Sequence, residues 1–186
     1  RPRMASVIAD YERVVRQRNA LLKSARARGV RGEGLSTLDV WDEKLVSLGS
    51  ALIDARTALV DELVAPVAAA YTAIAGEDHR PRLAWALSVR GGDPEEADDD
   101  DDTSAETAPP ADTAELFRAA LATRRSAELE RGLTLVGPHR DDLVLRVRGL
   151  PVKGYASHGE SWSIALALRL ASAELLREES SVGDPV

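Results

Sequence analysis

Ser157-His158-Gly159-Glu160-Ser161 stands directly ahead of the apolar run Ile164 to Leu176, and it is the stretch of these 186 residues best placed to do chemistry. The first turn of a helix leaves backbone N–H groups without acceptors and carries the positive end of the macrodipole. A helix starting near Ser161 would therefore present amide donors at this point. Gly159 lets another molecule approach the backbone closely, and Ser157 adds a hydroxyl donor, which together suit a phosphate oxygen. Glu160 works against this, because a carboxylate beside a phosphate repels it. An ordinary serine-capped helix start is the alternative reading of the same residues.

Other constellations are weaker. His139 with Asp141 and Asp142 could ligate a metal or form an acid-base pair, and could equally be a polar turn between strands. Gly159 to Ser163 is not a nucleophile elbow, since a second glycine is missing. No Gly-rich phosphate loop ending in Lys-Ser or Lys-Thr occurs: the three lysines are Lys23, Lys44 and Lys153. Cysteine is absent, which removes disulfides, thiolate nucleophiles and Cys-based metal sites. No metal site and no catalytic residue is expected.

These residues need elements to hold them. Apolar residues at helical spacing from Met4 to Leu22 predict one amphipathic helix over 3–28, closed by Gly29, Gly32 and Gly34. Ser36 with Asp39 reads as a capping-box-like start, followed by Leu38, Trp41, Leu45, Leu48, Leu52, Ala55 and Leu59 in steps of three and four. Two such helices with a short Gly-rich turn should fold into an antiparallel hairpin. Pro66 should end or kink the second helix. Strands are expected at Leu83 to Val89, Leu133 to Val136, Leu143 to Val147 (with Arg146 and Arg148 facing water) and Val152 to Ala156, and a further helix from Thr113 to Gly132.

Charge is unevenly spread. The net charge is -7, yet Asp93 to Asp112 alone holds ten acidic residues and no basic one, so the remainder is +3. The first 31 residues carry nine Arg or Lys against Asp10 and Glu12. A basic helix of this kind suits an anionic partner such as nucleic acid, or is simply a solvated face. The acidic run reads as a disordered insertion. No signal peptide or membrane span is expected, which makes the cytoplasm the default location.

The order of four motifs says more than composition. DYERVVRQRNALLK, LDVWDEKLVSLGSALIDARTALVDEL, RGLTLVGPHRDDLVLRV and KGYASHGESWSIALALRLASAELL together resemble the RecF family of recombination-repair ATPases in its actinobacterial form, over nearly the whole chain apart from the acidic insertion. The resemblance implies an α+β, mainly α-helical chain: a long antiparallel helical hairpin attached to a small β/α piece of an ABC-type ATPase lobe of the SMC-like kind. It divides the chain into a hairpin arm (1–80), a strand and connection (81–92), the acidic linker (93–112) and part of the lobe with its signature-motif helix (113–186). It also implies that Ser157, His158, Gly159 and Glu160 are the signature motif, with Glu160 where the usual family pattern, Ser-x-Gly-Gln, has glutamine. These residues would contact ATP held by a second protomer.

By the same resemblance, Walker A and B segments would lie outside this stretch, so the fragment alone should be inactive while the complete protein is a weak ATPase using ATP and Mg2+. Its implied partners are DNA at gaps and junctions, RecO, RecR and a second copy in an ATP-dependent homodimer; no membrane is implied. Arg13, Arg16, Arg18 and Lys23 are candidate DNA phosphate contacts. The alternative function is a helical-hairpin protein-interaction module with no nucleotide role.

Overall fold

The computed structural model describes residues 2–29, 36–91 and 112–179. The acidic run from 93 to 111, and with it its expected disorder, lies outside the described residues, as do Gly32 and Gly34. In chain order the elements are α1 (Pro2–Ala27), α2 (Ser36–Ala75), β1 (Arg82–Ala86), a 3-10 turn (Ser88–Arg90), α3 (Thr113–Arg131), β2 (Asp142–Val147), β3 (Leu150–Pro151), the short turn α4 (Val152–Tyr155) and α5 (His158–Glu179). The chain is mainly helical with one small sheet, as the sequence implies.

Two compact units form, and they cut across the segments read along the chain: 1–55 gathers with 86–142, and 56–85 with 143–186. In the first, Tyr11 and Val14 of α1 meet Leu45, Val46, Leu52 and Ile53 of α2 and Phe117 and Leu121 of α3. The hairpin is therefore not a two-helix structure, because α3 covers part of both apolar stripes. Leu22, Ala25, Leu38 and Leu129 close the far end of the same three helices. The heptad seam holds through Leu38, Leu45 and Leu52 and lapses at Leu59, which is 43% exposed.

In the second unit, Val60, Leu63, Val67 and Tyr71 of α2 pack with Leu83 of β1, Val147 of β2, and Ile164, Ala167 and Ala171 of α5. The two alanines are fully buried, and their size lets α5 lie close to its neighbours. The strand order is β1-β2-β3. β2 and β3 are antiparallel, with Arg146 opposite Pro151 and Val147 opposite Leu150. Their two-residue turn, Arg148-Gly149, has positive φ at both positions (57° and 82°), which matches the right-handed strand twist.

Several local expectations are corrected. Pro66 does not end α2; it sits inside a continuous 40-residue helix. Proline lacks the N–H that would reach back toward Glu62, and Glu62 is exposed, so the lost bond falls on the solvent side of the helix. Leu133 to Val136 is not a strand. Side chains take the backbone donors a ladder would use: Thr134 N–H donates to Asn19 Oδ1 at 2.7 Å, and Leu135 N–H to Glu128 Oε1 at 2.7 Å. The strand expected to reach Val89 ends at Ala86, and the one expected over 152–156 is a helical turn behind the two-residue β3. Asp39 reaches Arg125 at 2.8 Å instead of completing a capping box. Asp112, the last residue of the acidic run, caps α3 by accepting from Ala114 N–H at 3.0 Å.

Part of α2 is an 18-residue window of mean hydropathy 1.5, long and apolar enough to cross a bilayer by length and composition, with 22% of it buried. Asp54, Arg56, Asp61 and Glu62 are among the charged residues carried by the same helix. Gly137, in the loop before β2, has φ +127°, and a side chain there would overlap the Tyr11 hydroxyl and the Phe117 ring. Only glycine meets both demands.

Candidate nucleotide interface at the tip of α5

The approach to α5 is a sequence of turns. Within α4, Lys153 and Gly154 leave helical geometry (Gly154 φ 91°), and Ala156 is extended at φ -70°, ψ 141°. The extended Ala156 takes the chain out of the α4 turn directly before Ser157. Ser157 N–H donates to Glu160 Oε2 at 2.8 Å while Glu160 N–H donates to Ser157 Oγ at 3.2 Å, a reciprocal capping box. α5 accordingly begins at His158, three residues earlier than the sequence suggests.

Ser157, His158 and Gly159 are all exposed, and an added Cβ on Gly159 would meet nothing within 4 Å. The first-turn amides of His158 and Gly159 have no acceptor inside the helix. The Ser157 hydroxyl accepts from Glu160 and keeps its own proton to donate outward. His158 Nε2 accepts from Trp162 Nε1–H at 2.8 Å, holding the imidazole along the helix one turn on. The tip therefore offers donors around an open glycine, a surface fitted to an anionic oxygen.

Glu160 differs from its three neighbours. Its carboxylate accepts the Ser157 N–H, and Arg148 Nε lies 3.6 Å from its other oxygen. The bond from Ser157, and then the Arg148 charge, hold the Glu160 carboxyl below the ordinary carboxylate range. Arg148 in turn has its NH2 group 2.7 Å from His79 Nε2, and its backbone N–H donates to His79 carbonyl at 2.7 Å. His79 Nδ1 meets the Tyr71 hydroxyl at 3.1 Å. Reading Arg148 as a water-facing residue is right about its exposure and misses these contacts, whose only sequence signal is the Arg-Gly turn.

The apolar residues of α5 divide between two faces. Ile164 is buried and Leu168 and Leu175 are half-buried, but Leu166 (47%) and Leu170 (49%) are exposed in line with Trp162 (67%). Alternation by two residues cannot keep one side of a 3.6-residue helix, and Ala167 and Ala171 take the inner positions.

The basic candidates separate. Arg13 and Arg16 are exposed, each beside an acid of its own helix, Asp10 at 3.0 Å and Glu12 at 3.7 Å. Lys23 is exposed next to Gly132. Arg18 is wholly buried and is not a phosphate contact: it binds Asp42 at 2.6 Å, Glu128 at 2.6 Å and Thr134 Oγ1 at 2.9 Å. Burial alone would lower the pKa of its guanidinium; Glu128 and Asp42 outweigh that and hold it above the ordinary arginine value.

His139 does not assemble an acid-base site. Its Nδ1 is 2.7 Å from the Tyr11 hydroxyl, whereas Asp141 accepts from Ser88 N–H at 2.8 Å and from Ser88 Oγ–H at 2.7 Å. No group of three His, Asp or Glu among the described residues could hold a metal.

The chain is mainly helical with one small sheet, and α5 opens on an exposed Ser157-His158-Gly159 tip capped by Glu160. Over its whole length the chain belongs with the RecF family. It is 58% identical over 185 residues to the DNA replication and repair protein RecF of Leifsonia xyli subsp. xyli, covering 100% of this chain and 48% of that protein. RecF of Frankia alni is 53% identical over 180 residues, 96% of this chain and 45% of the relative. A solved structure of the recombination mediator protein RecF with ATP, in the RecFOR pathway, superposes with a TM-score of 0.81 at 25% identity, covering 100% of this chain and 45% of that one. No family model matches. The chain spans about half the length of the curated relatives it matches.

Proposed function

We propose that this chain is the arm and signature-helix portion of a RecF-type DNA-repair ATPase, and that Ser157, His158 and Gly159 meet ATP held by a second protomer. The supporting observation is the tip itself: an exposed hydroxyl, two first-turn amides and an open glycine, on a chain whose solved relative was determined with ATP. These residues fit a terminal phosphate. ATP bound across two copies would supply triphosphate oxygens that join them. Ser157 would donate its hydroxyl proton to such an oxygen, the His158 and Gly159 amides would add their donors, and Glu160 would hold the cap. On this reading the Mg2+ ligands and the Walker residues would be supplied by other parts of a RecF-length protein.

On this reading the complete protein hydrolyses ATP slowly, works in the cytoplasm with RecO and RecR, and binds DNA at gaps and junctions to help load RecA. Arg13, Arg16 and Lys23 are the phosphate contacts we assign to α1. The test is Ser157→Arg in the full-length protein. ATP-driven dimerisation, measured by sedimentation, should be lost while the monomer still binds ATP. Dimers that form undiminished with ATP refute the assignment.

A further inference from the structure

We propose that Arg148 is a positioning residue for this tip: it compensates the Glu160 carboxylate, so that a helix end bearing an acid where an anion must approach can still receive one. The inference rests on the nucleotide reading above.

A carboxylate in the first turn of α5 serves the helix, because it accepts the Ser157 N–H and favours the dipole. For an incoming triphosphate the same charge is repulsive at short range. Glu160 therefore has two roles in conflict, and Arg148 lies where the conflict is resolved, 3.6 Å from the oxygen left over by the cap.

The placement of Arg148 is built. It occupies the first position of the β2–β3 turn with φ 57°, uncommon for a residue other than glycine, and the only other described non-glycine residue with positive φ is Arg80 at 50°. The two are neighbours in space through His79, whose carbonyl accepts the Arg148 N–H and whose Nε2 meets the Arg148 guanidinium at 2.7 Å. Tyr71, buried on α2, holds His79 from the other side at 3.1 Å. A chain of contacts thus runs from the core of this unit through His79 to Arg148 and on to Glu160 and Ser157. The two contacts with His79 hold the Arg148 guanidinium beside the Glu160 carboxylate. The Arg148 side chain is 57% exposed and that of Glu160 21%, so the pair acts by charge compensation and not as a locked bridge.

The test uses the full-length protein and ATP, with dimerisation by sedimentation as the readout, monomer ATP binding in parallel and thermal melts to verify folding. Arg148→Ala should weaken ATP-driven dimerisation about tenfold, Arg148→Lys should keep most of it, and Arg148→Ala/Glu160→Gln should recover it, because glutamine can still cap Ser157 without a charge. Loss in Arg148→Ala without recovery in the double variant would make Arg148 merely structural and overturn the inference. Undiminished dimerisation in Arg148→Ala would do the same. Ser157→Arg, run alongside, separates the two proposals: if it leaves dimers intact the nucleotide reading itself fails, and if it abolishes them a negative Arg148 result condemns only the compensation.

Discussion

Removing Arg18 should be among the most damaging single changes in the first unit. Its side chain has no solvent exposure, and it joins α1 to Asp42 of α2, Glu128 of α3 and Thr134 in the loop beyond. Arg18→Ala leaves the Glu128 carboxylate fully buried with only the Leu135 N–H still donating to it, while Asp42 keeps Arg125 at 3.3 Å. Stranding one buried charge costs about 3–5 kcal/mol, set chiefly by the desolvated carboxylate rather than by the lost attraction. Arg18→Met/Glu128→Leu removes both charges and should recover about 2 kcal/mol or more of that loss, although Leu135 N–H then lacks its acceptor. Urea unfolding followed by circular dichroism measures both. A loss below about 0.5 kcal/mol for Arg18→Ala, the range of a surface arginine, or simple additivity of the Arg18 and Glu128 changes, would refute the reasoning and return Arg18 to the candidate DNA surface.

Two further outcomes are expected. Three phosphate contacts from Arg13, Arg16 and Lys23 would contribute about -2.7 to the slope of log affinity against log salt for duplex DNA, so the triple alanine variant should flatten the slope by that amount; an unchanged slope in a folded variant removes α1 from the interface. Desolvation of the His139 ring pushes its pKa down to about 4, opposed by the Thr134 carbonyl and aided by the Arg140 charge. The folded state then resists protonation that the unfolded chain accepts near 6.5, so this contribution is complete above pH 6.5 and is lost as pH falls toward 4. His139→Asn should flatten the melting-temperature profile across that window, and a profile parallel to the parent would show that His139 is not responsible.

Much of the helical frame was legible because its signals are local. Leu38, Leu45 and Leu52 repeat at the spacing of one helix face, and Gly29, with φ 66°, closes α1 where the pattern stops. Ser157, His158 and Gly159 were legible as a tip for the same reason: a helix start is written in adjacent residues. What failed depended on distant partners. Arg18 looks like any basic helix residue until Glu128, 110 positions away, is placed beside it. Thr134 and Leu135 look like a strand because their apolar neighbours fit one, and only the Asn19 and Glu128 side chains, folded in from elsewhere, show why no ladder forms. Arg148 gave the least warning, since the link from a turn arginine to the capping acid exists only once β3 and α4 have folded back.

The glycine at 137 has a bearing on how such a sequence can drift. Tyr11, Phe117 and Gly137 come from three separate stretches of chain, and the phenol and the benzyl ring occupy the space that a methyl group on the glycine would need. Replacing either ring by a smaller residue would open the space but not the backbone conformation, which still demands glycine. Gly137 should therefore persist across descendants of this gene even where the two rings change, a constraint of shape that a survey focused on charged or reactive side chains would overlook.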